Sequence, residues 1–106
     1  MIGPSADDYE DVAALHQIRD GGVFFVDAGA TDVMLFRQGD TVRAFGANCT
    51  HAFASLRDGR VEGGTITCLR HGARFDLTSG RSLGGNCPNL PSYAVKREGA
   101  RILVKA

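Results

Sequence analysis

The sequence predicts an all-β fold, because it combines short β-rich runs, scattered glycines and almost no helical periodicity. Fourteen of the 106 residues are glycine, and glycines placed between short apolar runs indicate many tight turns. The one helical pattern, in which Val12, Leu15 and Ile18 recur every three residues, ends at Gly21 after barely two turns. We therefore predict a small β-sandwich or partial barrel.

Strands are predicted wherever β-branched and aromatic residues cluster between turn signals. A short strand around Val12 is expected to lead into one helical turn. The tripeptides at 38–40 and 98–100 each contain a glycine and are suited to hairpin connections. The other predicted strands are 23–26, 33–37, 41–45, 65–69, 74–77, 93–97 and 101–105.

The order of these strands along the chain predicts a base with a smaller subdomain inserted into it. Residues 1–46 and 91–106 hold strands that can pair into one base, and residues from about 47 to 90 would form a smaller subdomain on that base. Pro88 and Pro91 mark the return to the base, because proline fixes the backbone and interrupts strand pairing.

Composition and charge indicate one soluble domain and exclude several classes of partner. Hydrophobic residues make up 43% of the chain and charged residues 23%, with no net charge, so neither a nucleic-acid surface nor a polybasic membrane contact is expected. No apolar run approaches a membrane span, and the acidic residues 1–11 are unlike a signal peptide. We expect a cytoplasmic protein whose three cysteines stay reduced, either bound to metal or free.

Four residues in the middle of the chain form two short pairs of metal-ligand type. Cys49-x-His51 is the first pair and Cys68-x-x-His71 is the second, with residues 52–67 between them. Two soft sulfurs and two imidazoles complete the ligand set of one metal centre, which fits either tetrahedral zinc or an iron–sulfur cluster. Residues two apart in an extended chain point to one face, so the first loop can aim Cys49 and His51 together, and Gly72 lets the second loop turn sharply after His71.

The order of the ligands separates these two alternatives. Zinc fingers usually pair Cys with Cys and His with His, whereas each pair here supplies one of each kind. Two thiolates on one iron and two imidazoles on the other are the Rieske arrangement of a [2Fe–2S] cluster. The chain resembles the Rieske ferredoxin family in this signature, which is C-x-H, sixteen residues and C-x-x-H. It also resembles that family in the residues that follow, His71-Gly72, Phe75-Asp76, Ser79-Gly80, Pro91 and Tyr93.

The resemblance implies a fold, a cofactor and a function. It implies a Rieske-like β base with an inserted cluster-binding β subdomain, and one [2Fe–2S] cluster held by Cys49, His51, Cys68 and His71. In size and ligand pattern the chain is similar to the small ferredoxins of bacterial aromatic-ring-hydroxylating dioxygenases, which implies an electron carrier and not an enzyme. The implied partners are a flavoprotein ferredoxin reductase and a terminal oxygenase, each bound transiently, and we expect a monomer.

Two other functions would use the same four residues. One is a structural zinc-binding interaction module, and the other is a Rieske carrier for a different oxygenase or redox partner. A red-brown purified protein favours a cluster, whereas a colourless protein with one bound zinc favours the interaction module.

The departures from the family pattern lie beside the ligands. Phe53 stands where many members have glycine, and Leu69 where many have proline. High-potential relatives carry a serine and a tyrosine at the positions of Ala73 and Phe75. Hydrogen bonds to the cluster sulfurs raise the potential and neither of these side chains can donate one, so we predict a potential on the order of −150 mV, at the low end of the Rieske range.

The imidazole-bound iron is expected to lie nearer to solvent, so that electrons leave past the two histidines. Phe53, Leu69 and Pro88 are predicted to form an apolar cap there, with Arg57 and Arg70 at its rim to steer docking.

Several other chemically reactive or aromatic residues are predicted to be structural. Cys87 is interpreted as a buried or half-buried thiol without a ligand role, and His16 as a surface residue. The aromatic residues predicted to lie in the core are Phe24, Phe25, Phe36 and Phe45.

Overall fold

Strands form almost all of the regular structure, as predicted. The computed structural model describes residues 9–50, 55–69, 72–84 and 87–106. The strands are β1 (Glu10–Ala14), β2 (Val23–Ala28), β3 (Thr31–Gln38), β4 (Thr41–Gly46), β5 (Arg60–Glu62), β6 (Thr65–Thr67), β7 (Arg74–Asp76), β8 (Ser82–Gly84), β9 (Ser92–Glu98) and β10 (Arg101–Lys105). Within these described ranges the helical segments are the 3-10 turns Leu15–Gln17 and Leu56–Asp58, and none has the length and hydropathy needed to cross a membrane.

Six strands form the larger sheet, in the order β1-β10-β9-β4-β3-β2, with every neighbouring pair antiparallel. Its two edge strands, β1 and β2, also approach each other, so the sheet nearly closes into a barrel. All six strands fall within residues 1–46 and 91–106. The division of the chain into a base and an inserted subdomain at these boundaries stays a prediction.

A second antiparallel sheet of four short strands, in the order β5-β6-β7-β8, lies between β4 and β9 in the chain. Strands β6 and β7 were predicted, but they end two residues and one residue earlier than expected. Beyond each end of the paired residues the same register continues as one backbone bond, from Cys68 N to Ala73 O at 2.7 Å and from Leu77 N to Gly64 O at 2.8 Å. Strands β5 and β8 were not predicted, since three residues are too few to show an alternating pattern.

The core is divided into two clusters by β3, which is buried on both faces. Val33 and Leu35 pack into one cluster inside the larger sheet, whereas Met34 and Phe36 pack into a second cluster under the small sheet. This follows from the alternation of side chains along a strand. The second cluster therefore joins the two sheets, and it is the one that contains the predicted cysteine ligands.

The predicted core aromatics are found in two environments. Phe36 and Phe45 are fully buried in the cluster between the sheets. Phe24 and Phe25 are only half-buried, because they lie on β2, an edge strand of the larger sheet. They still pack against the core, one against each cluster.

Gly80 brings the small sheet close to the segment that returns to the larger one. Its φ of +79° is in the left-handed region, and a Cβ there would lie 3.0 Å from the Phe45 ring. Gly80 N donates to Asp76 O at 2.6 Å, and Leu90 N donates to Gly80 O at 2.8 Å. The second bond holds Leu90, in the segment that returns to the larger sheet, beside the turn between β7 and β8.

Candidate metal centre

The first predicted ligand loop is closed at its base by backbone pairing. After β4, Asn48 forms an antiparallel bridge with Ser55, and Leu56 N donates to Ala47 O at 2.8 Å. Cys49 is the first residue inside this bridge, and it is fully buried. His51, the second predicted ligand of the loop, lies outside the described residues. The bridge therefore fixes where the loop begins and returns, with the thiol at its inner end.

The second predicted ligand loop is a tight connection between β6 and β7. Cys68 N donates to Ala73 O at 2.7 Å, and Gly72 N donates to Cys68 O at 2.9 Å. Gly72 has a φ of +70°, a conformation that favours glycine, so the residue following His71 is suited to this turn. Cys68 is 2% exposed, and His71 lies outside the described residues.

The fold brings the two cysteines into the same core cluster. Cys49 and Cys68 pack there together with Leu56, Ala73 and Phe75, all of them buried. A buried thiol can be an inert small hydrophobe or a protected metal ligand. What favours the ligand role is the pair of closed loops, each of which starts at its cysteine and has a histidine two or three residues on. The sulfur donors thus fit the water-excluded half of an iron–sulfur cluster.

No group of three or more His, Cys, Asp or Glu side chains that could hold a metal ion is found among residues 9–50, 55–69, 72–84 and 87–106. Two of the four predicted ligands fall in the gaps of these ranges, so the complete ligand set stays a prediction.

A third segment, residues 87–91, packs against the first loop and the core cluster that contains the cysteines. Thr50 Oγ1, between the first cysteine and histidine of the ligand pattern, donates to Pro88 O at 2.6 Å. Next to Pro88, Cys87 is half-buried against the same core cluster, as predicted. Its Sγ lies 3.4 Å from Ser82 Oγ and 3.5 Å from Gly84 O. Thr50 therefore ties the first loop to residues 87–91.

Replacing Thr50 with valine is expected to loosen this third segment. Valine keeps the shape of threonine but cannot donate to Pro88 O, so the free energy of unfolding should fall by about 1 kcal/mol. Thermal unfolding measures this loss, and Thr50→Ser is the matched control because it retains the hydroxyl. Equal stability of the valine and serine variants would show that the hydrogen bond contributes nothing.

The predicted apolar cap is only partly within the described residues. Leu69 is 65% exposed and Pro88 is also exposed, as a surface for a partner requires, whereas Phe53 and Arg70 lie outside the described ranges. Arg57 was predicted at the rim of the cap as a steering charge, but its charge is already engaged. Its Nη2 lies 2.9 Å from Asp32 Oδ1, and its guanidinium carbon is 5.0 Å from the centre of the Phe25 ring.

Arg57 instead anchors the end of the first loop to the larger sheet. Ser55 Oγ accepts a hydrogen bond from Arg57 N at 3.1 Å, which caps the 3-10 turn Leu56–Asp58. The turn buries Leu56 completely. The sequence signal for this turn is Ser55, two residues before Arg57, which is a local capping pattern.

Comparison with known proteins gives consistent results. The family model described as "Rieske [2Fe-2S] domain" matches residues 8–94. The ferredoxin component of a naphthalene 1,2-dioxygenase system from Pseudomonas aeruginosa is 35% identical over 95 residues, which are 89% of this chain and 91% of that protein.

Two solved structures are similar over nearly the whole chain. The ferredoxin of carbazole 1,9a-dioxygenase from Nocardioides aromaticivorans IC177 has a TM-score of 0.75 and 36% identity, covering 91% of this chain and 95% of that one. A chain from the complex of reduced oxygenase and oxidized ferredoxin in carbazole 1,9a-dioxygenase has a TM-score of 0.80 and 28% identity, covering 91% of both chains.

Proposed function

Because this chain belongs to the Rieske [2Fe–2S] domain family, we propose that Cys49 and Cys68 bind one iron of its cluster and that His51 and His71 bind the other. The observation that carries this assignment is the pair of closed loops, each with a buried cysteine at its base in one shared core cluster. The alternation of cysteine and histidine within each pair matches the split ligand set of such a cluster.

The function we propose is that of an electron carrier. When bound, a [2Fe–2S] cluster supplies a site that holds one electron at a time. Burial of Cys49 and Cys68 keeps water from the thiolates, and the backbone bonds at the two loop bases hold them in position. The carrier would take electrons from a flavoprotein reductase and deliver them to the terminal oxygenase of an aromatic-ring-hydroxylating system. The similarity to ferredoxin components of dioxygenase systems supports this role and a chain without substrate chemistry of its own.

We place the docking surface at the tips of the two ligand loops. Leu69 of the second loop and Pro88, in the segment beside the first loop, are exposed, and Phe53 is predicted to join them. A carrier must leave one partner before it meets the next, so this contact is expected to be small and transient. Residues 47–90 would form the cluster-binding subdomain on a base made of residues 1–46 and 91–106.

We propose that the carrier works as a monomer in the cytoplasm. Thiolate ligands must remain reduced until the cluster is assembled, which the cytoplasm provides. The outer side of the hairpin β9–β10 carries exposed charges such as Lys96, Glu98 and Lys105, which favours solvent over a second copy of the chain.

Replacing Ala73 with serine is expected to raise the reduction potential. Ala73 is buried beside Cys68, its carbonyl accepts the Cys68 N–H, and its methyl group cannot donate a hydrogen bond. A hydroxyl that donates to a cluster or ligand sulfur stabilises the reduced state by about 1 kcal/mol, which corresponds to a rise of roughly 40 mV for one electron. Protein-film voltammetry measures the potential, with Ala47→Ser, in the same core but outside the second loop, as control.

The proposed carrier role can be tested by substitution in a known system. The purified chain would replace the ferredoxin component of the P. aeruginosa naphthalene 1,2-dioxygenase system, together with that system's reductase and oxygenase. We expect reduction of the chain by the reductase and its reoxidation when oxygenase is added, followed as visible absorbance. A chain that contains the cluster but is not reoxidised by the oxygenase would assign it to another redox partner, and a colourless chain with zinc would refute the carrier role.

A further inference from the structure

The outer face of the small sheet carries its charges in two separate rows. In the first row Arg60 pairs with Thr67, and Thr67 pairs with Arg74, across β5, β6 and β7. We call these three residues the basic row. A second row crosses the same three strands two positions away, toward the end of the sheet opposite the ligand loop. We call it the acidic row, and it consists of Glu62, Thr65 and Asp76.

The row between these two fixes which face they occupy. Val61, Ile66 and Phe75 pair across the same strands and pack against or within the core cluster that contains the cysteines. Because side chains alternate along a strand, the rows on either side of this apolar row point away from the core. Arg60 and Arg74 are accordingly exposed.

The basic row lies at the end of the sheet next to a ligand loop. Thr67 directly precedes Cys68, and Arg74 directly follows Ala73, the residue whose carbonyl closes the loop. Neighbouring strands are 4.7–4.9 Å apart, so the two arginine backbones, with one strand between them, are separated by about 10 Å. Two positive charges thus flank the base of the second loop.

Neither arginine of the basic row is neutralised within the part of the chain that the structure describes. Arg60 and Arg74 make no ion pair or side-chain hydrogen bond with any of the described residues. By contrast, Arg101 binds Asp11 through two of its nitrogens, and Arg57 binds Asp32. An exposed cation that has no partner among the described residues can pair with a carboxylate of another protein.

The acidic row places carboxylates at the end of this face that is farther from the ligand loop. Asp76 accepts hydrogen bonds from the Thr78 hydroxyl at 2.6 Å and the Thr78 N–H at 2.7 Å, and these bonds lower its pKa, so it stays ionised. Glu62 is exposed on the edge strand β5, which is separated from β7 by β6. The face therefore has its arginines beside the ligand loop and its carboxylates at the far end, where Asp76 also interacts electrostatically with Arg43.

We propose that the basic row docks on a cluster of carboxylates beside the electron-transfer site of a partner protein, and so turns the second ligand loop toward that site. The inference rests on the proposed carrier function and adds the chemistry of the partner surface. Arginine pairs with carboxylates through a planar fork, which fixes orientation as well as proximity. The separation of the two rows also steers the approach, because an acidic partner surface attracts the basic row and repels the acidic row.

A carboxylate-terminated monolayer on gold serves as the acidic surface for a test. The cluster-containing protein is expected to adsorb to it at low salt and to leave at 1 M salt, where the screening length is about 3 Å. Arg60→Glu and Arg74→Glu should each weaken adsorption about threefold to tenfold, measured as adsorbed mass. The wild-type protein should not bind an amine-terminated monolayer through the basic row, because both are positively charged.

Arg19→Glu is the matched control, because it makes the same change in charge at an exposed position away from the basic row and the second ligand loop. Its neighbour Asp20 binds Gly39 N in the β3–β4 turn, at the other end of the larger sheet from the ligand loops. We expect Arg19→Glu to adsorb within about twofold of wild type. Equal weakening by all three substitutions, or weakening by none, would overturn the proposal.

Separate measurements test the docking role of the basic row and the proposed carrier function. Adsorbed mass reports on the basic row and does not depend on electron transfer. The visible spectrum of the same samples reports on the cluster, so a colourless wild-type protein would refute the carrier function whatever its adsorption.

Discussion

Cys68→Ala is expected to abolish cluster binding. Cys68 is one of two buried cysteines in the core between the sheets, and alanine leaves one iron with a single thiolate from the chain. Loss of an outer-shell partner already costs roughly 10–100-fold in metal affinity, so loss of a ligand should cost more. Iron content per chain and visible absorbance of the purified protein measure the effect, and Cys49→Ala should behave in the same way.

Cys87→Ala is the control for this substitution. Cys87 is half-buried against the same cluster but bonds only weakly to Ser82 and Gly84, and it lies in neither ligand loop. We expect this variant to keep its iron and its colour. If Cys87→Ala lost iron as completely as Cys68→Ala, while far-UV circular dichroism showed both to be folded, the assignment of the two sulfur ligands would be wrong.

Phe75→Ala is expected to destabilise the cluster-bearing core strongly. Phe75 is fully buried, it pairs with Ile66 across β6 and β7, and it packs in the core cluster that holds both cysteines. Truncating a buried phenylalanine costs about 3–5 kcal/mol, a large part of the roughly 5–15 kcal/mol that stabilises a domain of this kind. Chemical denaturation of the variant gives the loss in free energy of unfolding.

The rate of iron release distinguishes loosening of the core cluster around the cysteines from loosening of the whole fold. In native buffer with an iron chelator, Phe75→Ala should release iron faster than wild type, because the cavity lies among the side chains that shield the thiolates. Leu35→Ala is the matched control, since Leu35 is equally buried but lies in the other core cluster, and its loss costs about 2–5 kcal/mol. The same rate of iron release from both variants would contradict a separate core for the metal site. Phe75→Leu provides a milder change if the alanine variant does not fold.

The sequence predicted those parts of the fold that have local patterns. Strands β2, β3 and β4 could be predicted because each has several consecutive β-branched or aromatic residues bounded by turns. Strands β5 and β8 have three residues each, and they are strands only because β6 and β7 pair with them. The apolar run in β3 predicted a strand, but the two core clusters on its two faces became visible only when the small sheet was placed over one of them.

The ligand pattern was readable from spacing alone, whereas the contacts that support it were not. Thr50 and Pro88 are 38 residues apart, and Arg57 and Asp32 are 25 residues apart. Such contacts depend on how the loops pack against the larger sheet, which no short window of sequence encodes. The same reason explains why Arg57 was predicted as a free steering charge although Asp32 already binds it. The register of β5, β6 and β7, which no local pattern predicts, places Arg60 and Arg74 in one row, without a partner among the residues that the structure describes.

The central claim is that two thiolates bind one iron and two imidazoles bind the other. The most direct test is electron paramagnetic resonance of the dithionite-reduced protein, with pulsed detection of nitrogen couplings to the cluster. We predict a rhombic signal with couplings from two histidine nitrogens, and loss of one coupling together with the native spectrum in His71→Cys. A signal without histidine nitrogen couplings, or a protein without a signal that contains one zinc per chain, would contradict the account.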